Sequence, residues 1–136
     1  MRVSDLMTAA PITVDPSTPM LDARQRMADT RIRHLIVVED AQVVGIITDR
    51  DIRLNLPSPA TSLSVWEINA LLARLTVGEV MSRTVIVVDS ARSAAEAARL
   101  MVDHKIGALP VVDGGRLVGI VTESDFVRAA AARRSM

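Results

Sequence analysis

The chain has 136 residues, 49 % hydrophobic and 24 % charged, which is enough apolar material for a packed core and excludes a disordered composition. Sixteen basic residues balance sixteen acidic ones, so no global field draws the chain toward nucleic acid or an anionic membrane. Cysteine is absent, which excludes disulfides, thiolate metal sites and cysteine nucleophiles.

The N-terminal Met1-Arg2-Val3-Ser4-Asp5 lacks the apolar core of a signal peptide, and no apolar run nears the roughly 20 residues that span a bilayer. A cytoplasmic, soluble protein with no membrane partner is expected. Residues 3 to 53 can be laid on residues 77 to 127 without a gap, with 17 identities in 51 positions at an offset of 74. Two copies of about 50 residues suit a pair sharing a core better than an open solenoid, which wants three or more.

Within each copy the periodicity switches in a fixed order. Thr13 to Asp15 and its copy Val87 to Asp89 are β-rich and closed by turn residues, predicting a strand. From Pro19, Met20, Ala23 and Met27 fall on one face, and Ala94, Ala97 and Met101 repeat them, predicting an amphipathic helix. Pro19 suits the first turn of that helix and Ser93 an N-cap. Leu35 to Val38 and Val43 to Ile47 then predict two strands, and the copy sets Asp113-Gly114-Gly115 between its own pair, a hairpin signal. A last helix should start at Thr48 and at Thr122.

Between the copies, Leu54 to Thr76 opens on Pro57-Ser58-Pro59, and Ser64 precedes Glu67 at capping-box spacing. Ile68, Leu71, Leu72 and Leu75 form a helical stripe with Trp66 near its start; it could pack on its own core or against a second subunit. Met7, Met27, Met81 and Met101 read as core residues. His34 and His104 are too far apart, without companion ligands, to suggest zinc. Val127-Arg128-Ala129 continues into an alanine run ending at Arg133-Arg134, the solvated end of a helix.

The pattern Val-x-x-x-Met, a helix, an Ile-x-x-Leu-(Pro)-Val-Val strand and Gly-(Ile)-(Ile/Val)-Thr-x-x-Asp, present twice, resembles a tandem pair of cystathionine-β-synthase (CBS) domains, a Bateman module. The expected fold class is α/β, each repeat running strand, helix, strand, strand, helix. Residues 1–56 form repeat 1, 57–76 the inter-repeat segment and 77–136 repeat 2. The resemblance implies pseudo-twofold packing of the repeats and a disc-shaped homodimer.

The chemistry sits in Thr48-Asp49-Arg50-Asp51 and Thr122-Glu123-Ser124-Asp125, each just after a strand and opening a helix. Thr-x-x-Asp is also a common helix cap, and the residues alone do not separate the two roles. In the resembling proteins the Asp grips a ribose and the Thr hydroxyl assists, at a helix terminus that favours anions. The resemblance completes the Asp125 site with Ala9, Ala10 and Ile12 around a base and Arg33 and His34 near phosphates. It completes the Asp51 site with Arg83, Thr84, Gly107, Ala108 and Pro110, where Arg50 and Arg83 could serve a phosphate. The sequence departs from the family at Ile36, where proline is usual, and at Gly107-Ala108, where basic residues are frequent. The cations therefore favour the Asp125 site.

The implied function is a non-enzymatic sensor of an adenosine-containing nucleotide (AMP, ADP or ATP) that acts on an effector protein in trans. S-adenosylmethionine sensing, or an interaction scaffold with vestigial clefts, are the alternatives. No catalytic cofactor is expected.

Overall fold

The computed structural model describes residues 1–58 and 60–132, so Pro59 and the Arg133-Arg134 terminus of the expected last helix lie outside the described residues. In chain order the elements are α1 (Val3–Leu6), β1 (Thr8–Ala9), β2 (Thr13–Val14), α2 (Met20–Thr30), β3 (His34–Glu39), β4 (Gln42–Thr48) and α3 (Asp49–Leu54). There follow α4 (Val65–Arg74), α5 (Val77–Val80), α6 (Ala94–His104), β5 (Ala108–Asp113), β6 (Arg116–Thr122) and α7 (Glu123–Ala132). They divide into two compact units whose limits are not those of the sequence repeats: Ile12–Val85 is one, and Met1–Pro11 joined to the chain from Ile86 onward is the other.

In the unit Ile12–Val85 the sheet order is β2-β3-β4, with β2 parallel to β3 and β3 antiparallel to β4. The free edge of β4 is met by Ser82, whose N–H and carbonyl exchange hydrogen bonds with Ile46 at 2.9 and 3.1 Å. Met20, Ala23 and Met27 of α2 bury against Leu35, Val37 and Ile47 of the sheet and Ile52 of α3. Val77, Val80 and Met81, from the start of the second sequence copy, complete this core. At matched positions the other unit repeats the plan in the order β1-β6-β5, with Thr8 opposite Ile120 and Ala9 opposite Gly119. Its core is Val3, Val88, Ala97, Met101, Leu109, Val111 and Val121, with Leu6, Met7 and Phe126 packed against it. Each sequence copy thus lends its opening segment to the sheet of the other.

Two glycines let the lent segments approach. A Cβ on Gly119 would lie 2.7 Å from the Met7 sulfur and 2.9 Å from the Thr8 carbonyl oxygen. One on Gly45 would meet the Met81 sulfur, and the Ser82 carbonyl oxygen at 2.9 Å. Both hairpins use two-residue loops with left-handed backbone, Asp40-Ala41 (φ 51° and 63°) and Gly114-Gly115 (φ 55° and 78°), the geometry that matches the twist of the flanking strands.

Three details differ from the sequence expectations. Pro19 stands at the N-cap position of α2 rather than in its first turn, and the helix begins at Met20. The strand expected at Val87 to Asp89 is reduced to a single bridge from Val88 to Val111. Pro110 stands on the facing strand where the first copy has Ile36, and proline has no N–H for the next rung. The one-turn helices α1 and α5 were not anticipated, because four residues are too few to show a period. Ser93 and Ser64 cap α6 and α4 as expected, each accepting from the backbone N–H of a Glu three residues on. The α4 stripe divides: Leu72 and Leu75 pack against the core, while Trp66 is 84 % exposed and Leu71 48 %.

Candidate functional site

Both Thr-x-x-Asp motifs sit where a strand ends and a helix begins. At Thr48 the backbone is still extended (φ −115°, ψ 161°). Its hydroxyl oxygen accepts from the Asp51 N–H at 3.1 Å, and Asp51 Oδ2 accepts from the Thr48 N–H at 2.9 Å and hydroxyl at 3.0 Å. The capping reading of the sequence is therefore correct, and it fixes the carboxylate at the helix N-terminus, toward which the helix dipole is positive. The Asp49 N–H donates to the Arg33 carbonyl at 3.0 Å, and His34 is the register partner of Thr48. Arg33 and His34 thus stand beside this motif within the same unit, Arg33 exposed and His34 half-buried and engaged. Arg50 is exposed, and Asp49 pairs with Arg53 at 3.3 Å.

Arg83 and Thr84 also belong to this unit, following the Ser82 bridge, and both are exposed. The Arg83 guanidinium donates to the Gly78 carbonyl at 3.3 Å and lines a cavity of about 600 Å³ with Asp15, Glu39 and Glu79. Ile12 is half-buried against the core of the same unit.

The unit of Asp125 gathers Ala9, Ala10, Gly107, Ala108, Pro110, Thr122 and Ser124. Asp125 Oδ2 accepts from the Thr122 N–H at 2.7 Å and from its hydroxyl at 3.3 Å, and the Glu123 N–H donates to the Gly107 carbonyl at 3.1 Å. Ala108 faces Thr122 and Pro110 faces Ile120 across the β5–β6 ladder; Ala108 and Pro110 are buried, Gly107 half-buried. Ala9 pairs with Gly119 on the other edge of β6, and Ala10 follows in left-handed backbone (φ 50°). Ser124 is exposed and Asp125 is 6 % exposed. Its Oδ1 is held by Arg128 at 2.5 Å, a partner the sequence reading passed over although an acid and a base three apart on a helix are neighbours.

The folds of the two units and their duplicated strand-end motifs define a non-identical pair of α/β repeats, each presenting a carboxylate at a helix start. The CBS domain family model matches residues 3–58 and 77–132, and the chain belongs to that family. It is 32 % identical over 124 residues to the CBS domain-containing protein YhcV of Bacillus subtilis, covering 91 % of this chain and 81 % of that one. It spans only 31 % of another relative, the uncharacterized protein MJ1404 of Methanocaldococcus jannaschii, at 34 % identity and 93 % of its own length.

Among solved structures, CBSX2 in complex with AMP is 34 % identical with a TM-score of 0.81, covering 98 % of both chains. The CBS domain pair of MJ0100, in complex with 5-methylthioadenosine and S-adenosyl-L-methionine, is 29 % identical with a TM-score of 0.77, covering 96 % of both. Among the described residues no helix is long and apolar enough to cross a membrane.

Proposed function

We propose that the chain is a regulatory module that binds an adenosine-containing ligand through Thr48/Asp51 and Thr122/Asp125. The observation that carries this reading is the fixed carboxylate at each helix start: a capped Asp retains lone pairs for the vicinal hydroxyls of a ribose, at a helix end whose dipole favours an anion. Support comes from CBSX2 with AMP and MJ0100 with two adenosine derivatives, whose shared chemistry is the adenosine and not the group attached to it. AMP or ATP is the preferred ligand class, because Arg33, Arg50 and Arg83 supply cations and His34 an imidazole for phosphates. Ala9, Ala10, Ile12, Thr84, Gly107, Ala108 and Pro110 supply small or apolar surface for a base, and Ser124 a further hydroxyl. S-adenosylmethionine remains the second reading on the strength of MJ0100.

The output is proposed to be a change of shape read by an effector protein in trans, from a cytoplasmic homodimer. Exposed Val65, Trp66 and Leu71 on α4 support association. Isothermal titration of the whole chain with AMP, ADP, ATP and S-adenosylmethionine tests the reading. Binding of at least one is expected, lowered tenfold or more by Asp51→Ala with Asp125→Ala on loss of the charged acceptor of the ribose hydroxyls, about 1.4 kcal/mol or more. No binding of any of the four would leave the chain an interaction scaffold.

A further inference from the structure

The two carboxylates proposed to hold ribose do not stand in the same condition. Asp125 Oδ2 is committed to the Thr122 N–H and hydroxyl, and Oδ1 is held by the Arg128 guanidinium at 2.5 Å. The Asp125 side chain is 5 % exposed, whereas that of Arg128 is 70 % exposed, so a nearly buried carboxylate is paired with a guanidinium that stands largely in solvent. At the offset of 74 the residue matching Arg128 is Leu54, 72 % exposed and without a donor to offer Asp51.

We infer that Arg128 is the residue that makes the two motifs unequal: it occupies the oxygen a ribose hydroxyl needs, so that a ligand binds at Asp125 only by displacing it. The inference rests on the ribose-binding reading of the motifs. A vicinal diol brings two donors to one carboxylate, and a nearly buried carboxylate with one oxygen capped has little room for them while a guanidinium stays in place. Displacement is affordable because the guanidinium is exposed and returns to water. An ion pair open to solvent on one side is weak, so the effect on affinity is modest, and salt should reduce it. Arg128 is thus a positioning residue acting through Asp125, and it biases filling toward the Asp51 motif.

The experiment measures adenosine and AMP binding by calorimetry in an Asp51→Ala background, with and without Arg128→Leu, the residue type of the first repeat. Adenosine is included because it carries no phosphate that Arg128 could meet. Arg128→Leu should tighten adenosine binding about two- to fivefold. Raising sodium chloride should tighten adenosine binding to the parent and leave adenosine binding to the Arg128→Leu form unchanged. Leu54→Arg in an Asp125→Ala background should weaken binding by a similar factor. Urea midpoints and far-ultraviolet circular dichroism check that each variant is folded, and Arg128→Lys replaces Arg128→Leu if that form is not, with a smaller tightening expected.

Unchanged or weaker adenosine binding in folded Arg128→Leu overturns the inference. Loss of binding on adding Asp125→Ala to the Asp51→Ala background, with no effect of Arg128→Leu, overturns the inference alone. Undiminished binding in the doubly Ala-substituted protein overturns the ribose reading itself.

Discussion

Ser90 and Asp113 show how single residues separate two copies of one plan. Asp113 Oδ1 accepts from the Ser90 N–H at 2.9 Å and Oδ2 from its hydroxyl at 2.5 Å, joining the loop after Val88 to the end of β5. The matched residues of the first copy are Pro16 and Glu39, and Pro16 has neither donor. The Ser90 hydroxyl, and then its N–H, hold the Asp113 carboxyl below its ordinary value of 3.8. A carboxyl depressed in the folded state stabilises it above the unfolded value, and that contribution is lost as pH falls through the folded value. Ser90→Ala should lift the Asp113 pKa toward 3.8, read by carboxyl-carbon NMR titration, and should flatten the acid limb of stability below that value. Asp51 and Asp125 likewise diverge through one neighbour, Leu54 against Arg128, which no inspection of the Thr-x-x-Asp string alone would have found.

At the scale of elements, the strands that carry the site depend on close backbone approach. The carbonyl oxygens of Thr8 and Ser82 would lie 2.9 Å from a Cβ on Gly119 and Gly45, and they belong to backbone held in place by its neighbours. Gly119→Ala and Gly45→Ala should each destabilise the protein by about 1–3 kcal/mol through overpacking, measured by urea denaturation. Gly114→Ala has open space around its Cβ, and its cost would come from the left-handed backbone alone, about 1–2 kcal/mol. The repetition of Gly45 and Gly119 was visible in the sequence, but the reason for it was not. Their partners Met81 and Met7 are far off in the chain, and nothing in a two-residue strand such as Thr8–Ala9 says which edge it will join. Longer elements were legible because α2 and α6 bury one face and so carry a helical period, while β3 and β5 are buried at consecutive residues and show as apolar runs.

For the whole molecule, the exchange of opening segments means that a sequence repeat is not a folding unit. A fragment of residues 1–58 would lack Val77, Val80 and Met81, which complete the core around α2, and would leave the Ile46 edge of β4 unpaired. Residues 12–85 keep that core and that edge together. The 12–85 fragment is expected to unfold cooperatively in urea, and the 1–58 fragment to show weak, non-cooperative signal by circular dichroism; the reverse result would mean the opening segments are dispensable.

By itself the sequence determined the duplication, the α/β class, the hairpins, the caps at Ser64 and Ser93 and the two Thr-x-x-Asp motifs. All of these rest on local periodicity or short-range hydrogen bonding, which a string of residues records directly. Only the tertiary structure decided which sheet receives each opening segment, why Gly45 and Gly119 must be glycine, and that Asp125, the carboxylate paired with Arg128, is nearly buried. Those features depend on contacts between distant segments, or on which side of a helix the solvent lies, and a chain acquires them only when its cores close.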